Sequence, residues 1–119
     1  MDHRLTDAEL VIMEIIWSGD DVKAIDVANL AKEKRGWEKN TTYTMITRLI
    51  KKGIIERVEP GYVCKALVDK ETVRREESRD IVDKLFHGSL SMFARAFVNE
   101  RKLTESDIEE LRRIIDESK

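Results

Sequence analysis

Two short β-prone runs on either side of Pro60-Gly61 limit the folds that are open to this chain. The runs at 54–59 and 62–67 contain Ile, Val and Tyr, and a turn dipeptide between such runs predicts a β-hairpin. Three segments before the hairpin, at about 6–17, 24–35 and 39–52, have helical periodicity. A short strand is expected at Val22, between the first two of them. Three helices and a short strand before a hairpin are typical of a winged helix-turn-helix domain.

Local signals mark where these helices begin and end. Thr6-Asp7-Ala8-Glu9 is a capping box, in which the Thr6 hydroxyl and the Glu9 carboxylate each satisfy a backbone N–H. Gly36 and Gly53 suit the left-handed conformation that ends many helices. The apolar residues expected to face the core are Leu10, Met13, Ile16, Trp17, Val27, Leu30, Ala31, Met45, Ile46, Leu49 and Ile50.

The sequence after the hairpin is predicted to be helical, with segments at 69–86, at 89–98 and from Thr104 onward. The predicted fold class is therefore mainly α with a small β hairpin. It comprises a winged helix-turn-helix domain over 1–68 and a C-terminal helical dimerisation region over 69–119. The boundary falls near residues 67–70.

The last three helices carry more apolar surface than a free tail would. Such residues either form a small core of their own or meet their counterparts in a second copy of the chain. We expect a homodimer, because a two-fold protein matches a two-fold DNA site. The residues expected in its interface are Leu85, Phe86, Leu90, Phe93, Phe97, Leu103, Ile108, Leu111 and Ile115.

The charge distribution points to a local site for nucleic acid. The formal net charge is −2, which by itself argues against such a partner. Between Lys32 and Arg57, however, there are 8 basic and 3 acidic residues, whereas residues 1–31 hold 2 basic and 7 acidic ones. Phosphate attraction is local at physiological salt, so one basic island in an acidic chain can bind DNA.

Several function classes find no support in the sequence. The single cysteine, Cys64, excludes an internal disulfide and a zinc finger, and we expect it to be a half-buried strand residue. There is no Gly-rich phosphate loop, metal-ligand cluster or nucleophile-base pair, so we expect no enzyme, cofactor, metal or small-molecule substrate. Met1-Asp2-His3-Arg4 lacks the pattern of a signal peptide, and no apolar stretch approaches ~20 residues, so we expect a cytoplasmic protein.

The third helix is the expected recognition element, because its outer face carries hydrogen-bonding side chains of moderate length. Those residues are Asn40, Thr41, Tyr43, Thr44, Thr47 and Arg48. The alternative is a winged-helix module that binds a protein without specific DNA binding. A protein-docking helix should expose Leu or Phe on this face, and the face is polar.

Several stretches resemble the penicillinase and methicillin-resistance repressors, the BlaI/MecI type that is related to the CopY copper repressors. Leu5-Thr6-Asp7-Ala8-Glu9-Leu10 is similar to the opening of that family, and the segment from Trp37 to Gly53 is similar to its recognition helix. Tyr62-Val63-Cys64-Lys65 is similar to the second strand of its wing. The stretches 97–100 and 107–111 resemble its C-terminal dimerisation region.

The resemblance implies a DNA-binding transcriptional repressor that acts as a homodimer on an inverted-repeat operator. It also implies relief of repression when a membrane-bound sensor metalloprotease cuts the C-terminal region. The cut in that family is commonly at an Asn-Phe bond, and the aligned bond here is Ala96-Phe97, so the Asn is missing. The copper branch carries Cys-x-Cys pairs, which Cys64 alone cannot supply.

The resemblance also suggests roles within the site, since Thr41 and Thr44 align with family residues that face DNA. With these two, we expect Tyr43 to contact bases or sugars. Asn40 and Arg48 are expected to contact phosphates. For Arg57 and Lys65 in the hairpin, phosphate contact and plain solvation are both open.

Overall fold

The structure of the chain is a computed structural model that describes residues 3–100 and 102–119. Met1 and Asp2, which entered the prediction about a signal peptide, lie outside the described residues. The helices and strands in chain order are α1 Asp7–Ser18, β1 Val22–Lys23, α2 Ala24–Arg35, α3 Lys39–Lys51, β2 Ile55–Val58, β3 Val63–Ala66, α4 Lys70–Leu85, α5 Leu90–Glu100 and α6 Glu105–Glu117. The predicted class, mainly α with a small β hairpin, is confirmed.

The sheet is antiparallel, with the strand order β1-β3-β2. Strands β2 and β3 form the predicted hairpin, in which Ile55 lies opposite Ala66. Strand β1 pairs with the other edge of β3, where Val22 lies opposite Cys64. Because β1 leads directly into α2 and pairs with Val63 and Cys64, this pairing ties the end of β3 nearest the turn to the helices.

The capping box at the start of α1 is present. Oγ1 of Thr6 accepts from the backbone N–H of Glu9 at 3.1 Å, and Oε1 of Glu9 accepts from the backbone N–H of Thr6 at 2.9 Å. The helix buries its apolar stripe against α2, α3 and the sheet. The buried residues of the resulting core are Ile12, Met13, Ile15, Ile16, Ala24, Val27, Ala31, Ile46, Leu49, Ile54, Ile55 and Cys64.

Two burial predictions are wrong. Leu30 was expected to face the core but is 38% exposed, because the buried face of α2 is centred on Val27, Ala28 and Ala31. Cys64 was expected to be half-buried but is only 2% exposed. It lies on β3, the central strand, and its side chain packs in the core among residues of the helices.

An ion pair between the buried Glu9 and the partly exposed Lys52 joins the start of α1 to the residue that follows α3. The Glu9 side chain is fully buried, and its Oε1 accepts from Nζ of Lys52 at 2.8 Å. Burial alone raises the pKa of the Glu9 carboxyl, but the hydrogen bonds from Lys52 and Thr6 outweigh it and hold that pKa below its ordinary value. The role of Lys52 is therefore structural, since its ammonium group is paired with Glu9.

The first compact unit of the chain runs to Ser78, beyond the predicted boundary at 67–70. The first half of α4 belongs to it, since Val73 is buried and a Glu77 carboxylate oxygen accepts from the backbone N–H of Leu5 at 3.0 Å. The residues before α4 are also fixed, because Nε1 of Trp17 donates to the carbonyl oxygen of Val68 at 3.0 Å.

The second unit comprises residues 79–119, with the end of α4 and helices α5 and α6. Thr104 caps α6 through a second capping box with Asp107. Phe93 packs edge-on against Phe86, with ring centroids 5.5 Å apart, and lies 6.1 Å from the ring of Phe97. No residue of α5 or α6 is buried in the described part of this unit.

None of the described helices is both long enough and apolar enough to cross a membrane.

Candidate nucleic-acid interface

The outer face of α3 is polar because the helical period turns its apolar side chains inward. Thr42, Ile46 and Leu49 are buried at the spacings of one helix face. The exposed residues on the other side are Asn40, Thr41, Thr44, Thr47, Arg48 and Lys51. Helices α1 and α2 both pack against α3, so they fix its axis and leave the polar side open.

The hydroxyl groups of Thr44 and Thr47 donate their protons within the helix. Oγ1 of Thr44 donates to the carbonyl oxygen of Asn40 at 2.9 Å, and Oγ1 of Thr47 donates to that of Tyr43 at 3.0 Å. With its one proton committed, each hydroxyl acts toward a ligand as an acceptor. The two side chains can thus accept hydrogen bonds from base amino groups, and their methyl groups can contact the methyl group of thymine.

Two basic side chains border a shallow depression on the same face. The depression has a volume of about 310 Å³ and is lined by Thr44, Thr47, Arg48 and Lys51. In the part of the chain that the structure describes, Arg48 and Lys51 have no ion-pair partner. The sequence from residue 39 to residue 55 contains no acidic residue. Neither of these cations is therefore neutralised by a direct ion pair among the described residues.

The two basic residues of the hairpin do not lie together. Cross-strand pairing places Arg57 opposite Cys64 and Lys65 opposite Glu56. Because successive residues of a strand point to opposite faces, Arg57 lies on the face of the buried Cys64 and Lys65 lies on the outer face. The structure therefore does not bring Arg57 and Lys65 to one surface.

Arg57 and Tyr43 both have partners within the protein. The guanidinium carbon of Arg57 lies 3.7 Å from the centroid of the Tyr62 ring, and its Nε donates to the Glu59 carboxylate. The Tyr43 ring is half-buried against the core, and its centroid lies 6.1 Å from that of Tyr62. We call Tyr43, Arg57, Glu59 and Tyr62 the wing cluster.

The charges of the wing cluster stabilise each other. The hydrogen bonds from Arg57 and from the backbone N–H of Tyr62 lower the pKa of Glu59, and the hydrogen bond to Glu59 raises the pKa of Arg57. Sequence reasoning missed Glu59 and Tyr62. The available signal was their position, since they flank Pro60-Gly61 and the turn must bring them together.

Of the helical residues predicted to contact DNA, the structure brings Asn40, Thr41, Thr44, Thr47 and Arg48 together on one open face. It adds Lys51 to that face, which sequence reasoning had treated as an ordinary basic residue of a last helical turn. Tyr43 lies at the edge of the face, turned toward the hairpin.

The predicted dimer residues divide into two groups. Phe86, Phe93, Leu103 and Ile108 are half-buried within their own unit. Leu85, Leu90, Phe97, Leu111 and Ile115 are exposed, as are Ile81, Met92, Val98 and Ile114. A groove of about 300 Å³ runs between α5 and α6, and Phe97, Leu103, Leu111 and Ile114 supply its apolar lining. The Ala96-Phe97 bond lies inside α5.

Three helices, a short strand and a hairpin, with an exposed polar third helix, define the winged-helix class of helix-turn-helix domains. The solution structure of the DNA-binding domain of the repressor BlaI shares this fold. It matches with a TM-score of 0.53 and 30% identity, and covers 56% of this chain and 84% of that chain.

The chain belongs to the penicillinase repressor family, which matches residues 5–117. The methicillin resistance regulatory protein MecI of Mammaliicoccus sciuri is 30% identical over 115 residues, which cover 95% of this chain and 94% of that protein. The penicillinase repressor of Bacillus licheniformis is 27% identical over 118 residues, which cover 98% and 92%. The family resemblance and the winged-helix fold are confirmed, and the relatives named here are regulators rather than enzymes.

Proposed function

We propose that this chain is a transcriptional repressor that binds an inverted-repeat operator in double-stranded DNA as a homodimer. The observation that carries the proposal is the open face of α3, where Arg48 and Lys51 lie beside Thr44 and Thr47 in a stretch without acidic residues. Binding to DNA would place the protein in the cytoplasm.

The proposed contacts follow from the geometry of the helix. The first half of α3 enters the major groove, and Thr41, Thr44 and Thr47 face base edges. Asn40 at the helix start and the two cations Arg48 and Lys51 contact phosphates. Local charge then accounts for binding despite the net charge of −2.

A helix that docks on a protein groove would present a different surface. Such a helix exposes large apolar side chains. The exposed residues of α3 are polar or basic, and its apolar side chains Ile46 and Leu49 are buried. The protein-interaction alternative therefore has less support than DNA binding.

The second unit supports the homodimer. Its exposed apolar residues lie on three consecutive helices, and large apolar side chains exposed in such number point to an interaction site. A two-fold dimer buries the same surface of both copies and presents two copies of α3 to two half-sites. Phe97 and Leu111, which line the groove, are the proposed centre of that interface.

We further propose that cleavage at Ala96-Phe97 by a membrane-bound sensor metalloprotease relieves repression. A cut there would separate α6 and the end of α5 from the rest of the chain. The exposed apolar side chains removed with them would be Phe97, Val98, Leu111, Ile114 and Ile115. Because no residue of α5 is buried, local unwinding to admit a protease costs little. Mass spectrometry of the chain from cells with an active sensor would show a fragment ending at Ala96, whereas an intact chain would exclude this route.

The test of the main proposal is selection of bound duplexes from a random library by the full chain. We expect the enriched duplexes to carry inverted repeats, with half-sites separated by whole turns of about 10 base pairs. Affinity for a selected duplex should fall steeply with salt, in proportion to the phosphates contacted. No enrichment, or equal affinity for random duplexes, would exclude specific recognition.

Two variants test whether the open face of α3 contacts DNA. Arg48→Ala should weaken binding to all duplexes by a similar factor and reduce the salt slope by about 1, as expected for one phosphate contact. Thr44→Val keeps the shape and the methyl group of the side chain but replaces the acceptor oxygen with a second methyl group, so it should alter the preferred base at one position of each half-site. Unchanged binding profiles for both variants would show that this face does not contact DNA.

A further inference from the structure

We propose that the wing cluster is a brace that positions the hairpin against α3, so that Tyr43 and Arg57 are positioning residues and do not contact DNA. The inference rests on the proposed function for its binding assay. It replaces the contact with bases or sugars expected of Tyr43, and for Arg57 it replaces phosphate contact and plain solvation, which were both open.

The position of Tyr43 on α3 supports this role. Tyr43 and Ile50 are seven residues apart, so they share one flank of the helix, between its buried side and its polar side. Both are half-buried and pack against the core. The Tyr43 ring packs against the core and lies 6.1 Å from the Tyr62 ring, and Tyr43 is not among the residues that line the open depression.

Tyr62 is fixed at the other end of the contact. Its backbone has a φ of +52°, a conformation that residues other than glycine seldom adopt unless their surroundings hold them there. Those surroundings are two hydrogen bonds: the Tyr62 N–H donates to Glu59 at 3.3 Å, and its carbonyl oxygen accepts from the N–H of Ala24 at 2.9 Å. The conformation sends the Tyr62 ring between Tyr43 and Arg57.

The charge of Arg57 is already engaged. Its guanidinium covers the Tyr62 ring, and Glu59 accepts from its Nε. A phosphate oxygen would have to compete with the Glu59 carboxylate, which also closes the turn by accepting from Tyr62. Arg48 differs from Arg57 in this respect, because its side chain has no ion pair among the described residues.

These contacts form one continuous connection from α3 to the tip of the hairpin. Helix and wing are thereby set relative to each other before DNA arrives, which reduces the ordering that binding requires. Tyr43 then acts on affinity through the position of the wing, and the base preference is left to the residues of the open face of α3.

The first experiment measures binding to a duplex selected by the wild-type chain, with Tyr43→Ala, Tyr43→Phe, Arg57→Gln and Arg48→Gln. We expect Tyr43→Ala to weaken binding about 10-fold by the same factor on all duplex variants, and Tyr43→Phe to restore it because the ring remains. Arg57→Gln should keep the wild-type salt slope, whereas Arg48→Gln should lower it by about 1.

The second experiment needs no DNA. Hydrogen exchange at the amides of Gly61 and Tyr62 in the free chain should be faster in Tyr43→Ala and Arg57→Gln than in the wild type, and unchanged in Tyr43→Phe. Far-UV circular dichroism and the unfolding midpoint establish that each variant folds.

The results separate the two proposals. A wild-type chain that selects no duplex would refute the proposed function, and the exchange rates would still test the brace. A salt slope lowered by Arg57→Gln would make Arg57 a phosphate ligand, and a changed base preference in Tyr43→Ala would make Tyr43 a reading residue. Either result, or unchanged exchange at the wing, overturns the inference.

Discussion

The two units of the chain differ in how they bury apolar surface. In the first unit, side chains such as Ile12, Ile46 and Leu49 are completely enclosed. In the second unit, Leu85 and Leu90 are each 69% exposed, and α5 and α6 have no buried residue. The first unit therefore has the core that independent folding requires, whereas the apolar side chains of the second unit stay largely exposed in a single chain. In the proposed homodimer, a second copy of the chain would cover them.

The largest expected effect is on the core of the first unit. Leu49→Ala should lower the free energy of unfolding by about 2–5 kcal/mol at every protein concentration, because it leaves a cavity between α3 and its neighbours. Urea unfolding followed by tryptophan fluorescence measures it. The matched control is Leu90→Ala, whose effect should be small in dilute protein and grow with concentration. Equal effects at all concentrations would remove the distinction between the units.

The next effect concerns pairing. Phe97→Asp should raise the dissociation constant of the dimer by at least about 100-fold, because a carboxylate would be desolvated in an apolar interface. Sedimentation equilibrium measures the shift, and Phe97→Leu serves as the control that keeps an apolar side chain. The helical content of the first unit should be unchanged. A dimer that survives Phe97→Asp at low concentration would place the interface elsewhere.

A smaller effect is expected in the pH dependence of stability. The folded-state pKa of Glu9 is lowered from 4.5, so its pair with Lys52 stabilises the fold above that pH and this contribution is lost as the pH falls through the folded pKa. The unfolding midpoint should therefore drop on acidification below pH 4.5. Lys52→Met should lower stability at pH 7 and show a weaker acid dependence. Parallel pH profiles for the two proteins would show that the pair contributes nothing.

The last prediction concerns the chemical reactivity of a thiol in the core of the first unit. Burial raises the pKa of the Cys64 thiol to about 11, so at pH 8 the native thiol is both covered and protonated. Labelling with a disulfide reagent should be at least about 100-fold slower than in urea. The control is Ser118→Cys in a Cys64→Ala background, which places the thiol on an exposed residue of the second unit. Rapid labelling of native Cys64 would mean that the first core opens readily.

Most of the fold could be predicted from the sequence because its signals are local. The Thr6 capping box, Gly36 and Gly53 mark helix ends within a few residues of the positions that they govern, and the helix bounds follow. The open face of α3 was predictable for the same reason, since the helical period alone separates Thr44 and Arg48 from the buried side.

What could not be predicted depends on contacts between distant segments. The partner of Glu9 is Lys52, and the capping pattern does not indicate that the same carboxylate is buried. Tyr43 lies on a flank of α3 where the helical period does not decide whether a side chain is buried or exposed. Its contact with Tyr62 depends on how the hairpin packs against α3. The first compact unit extends into α4 through contacts such as that between Leu5 and Glu77, which are far apart in the chain.

The uncovered helices of the second unit have a consequence for the lifetime of the protein in a cell. A newly synthesised subunit that has not yet dimerised would expose a large apolar surface to chaperones and proteases, and would be degraded quickly. Paired subunits would hide that surface and persist. The steady-state amount of protein would then rise more steeply than its rate of synthesis. A small fall in that rate would lower the amount by a larger factor.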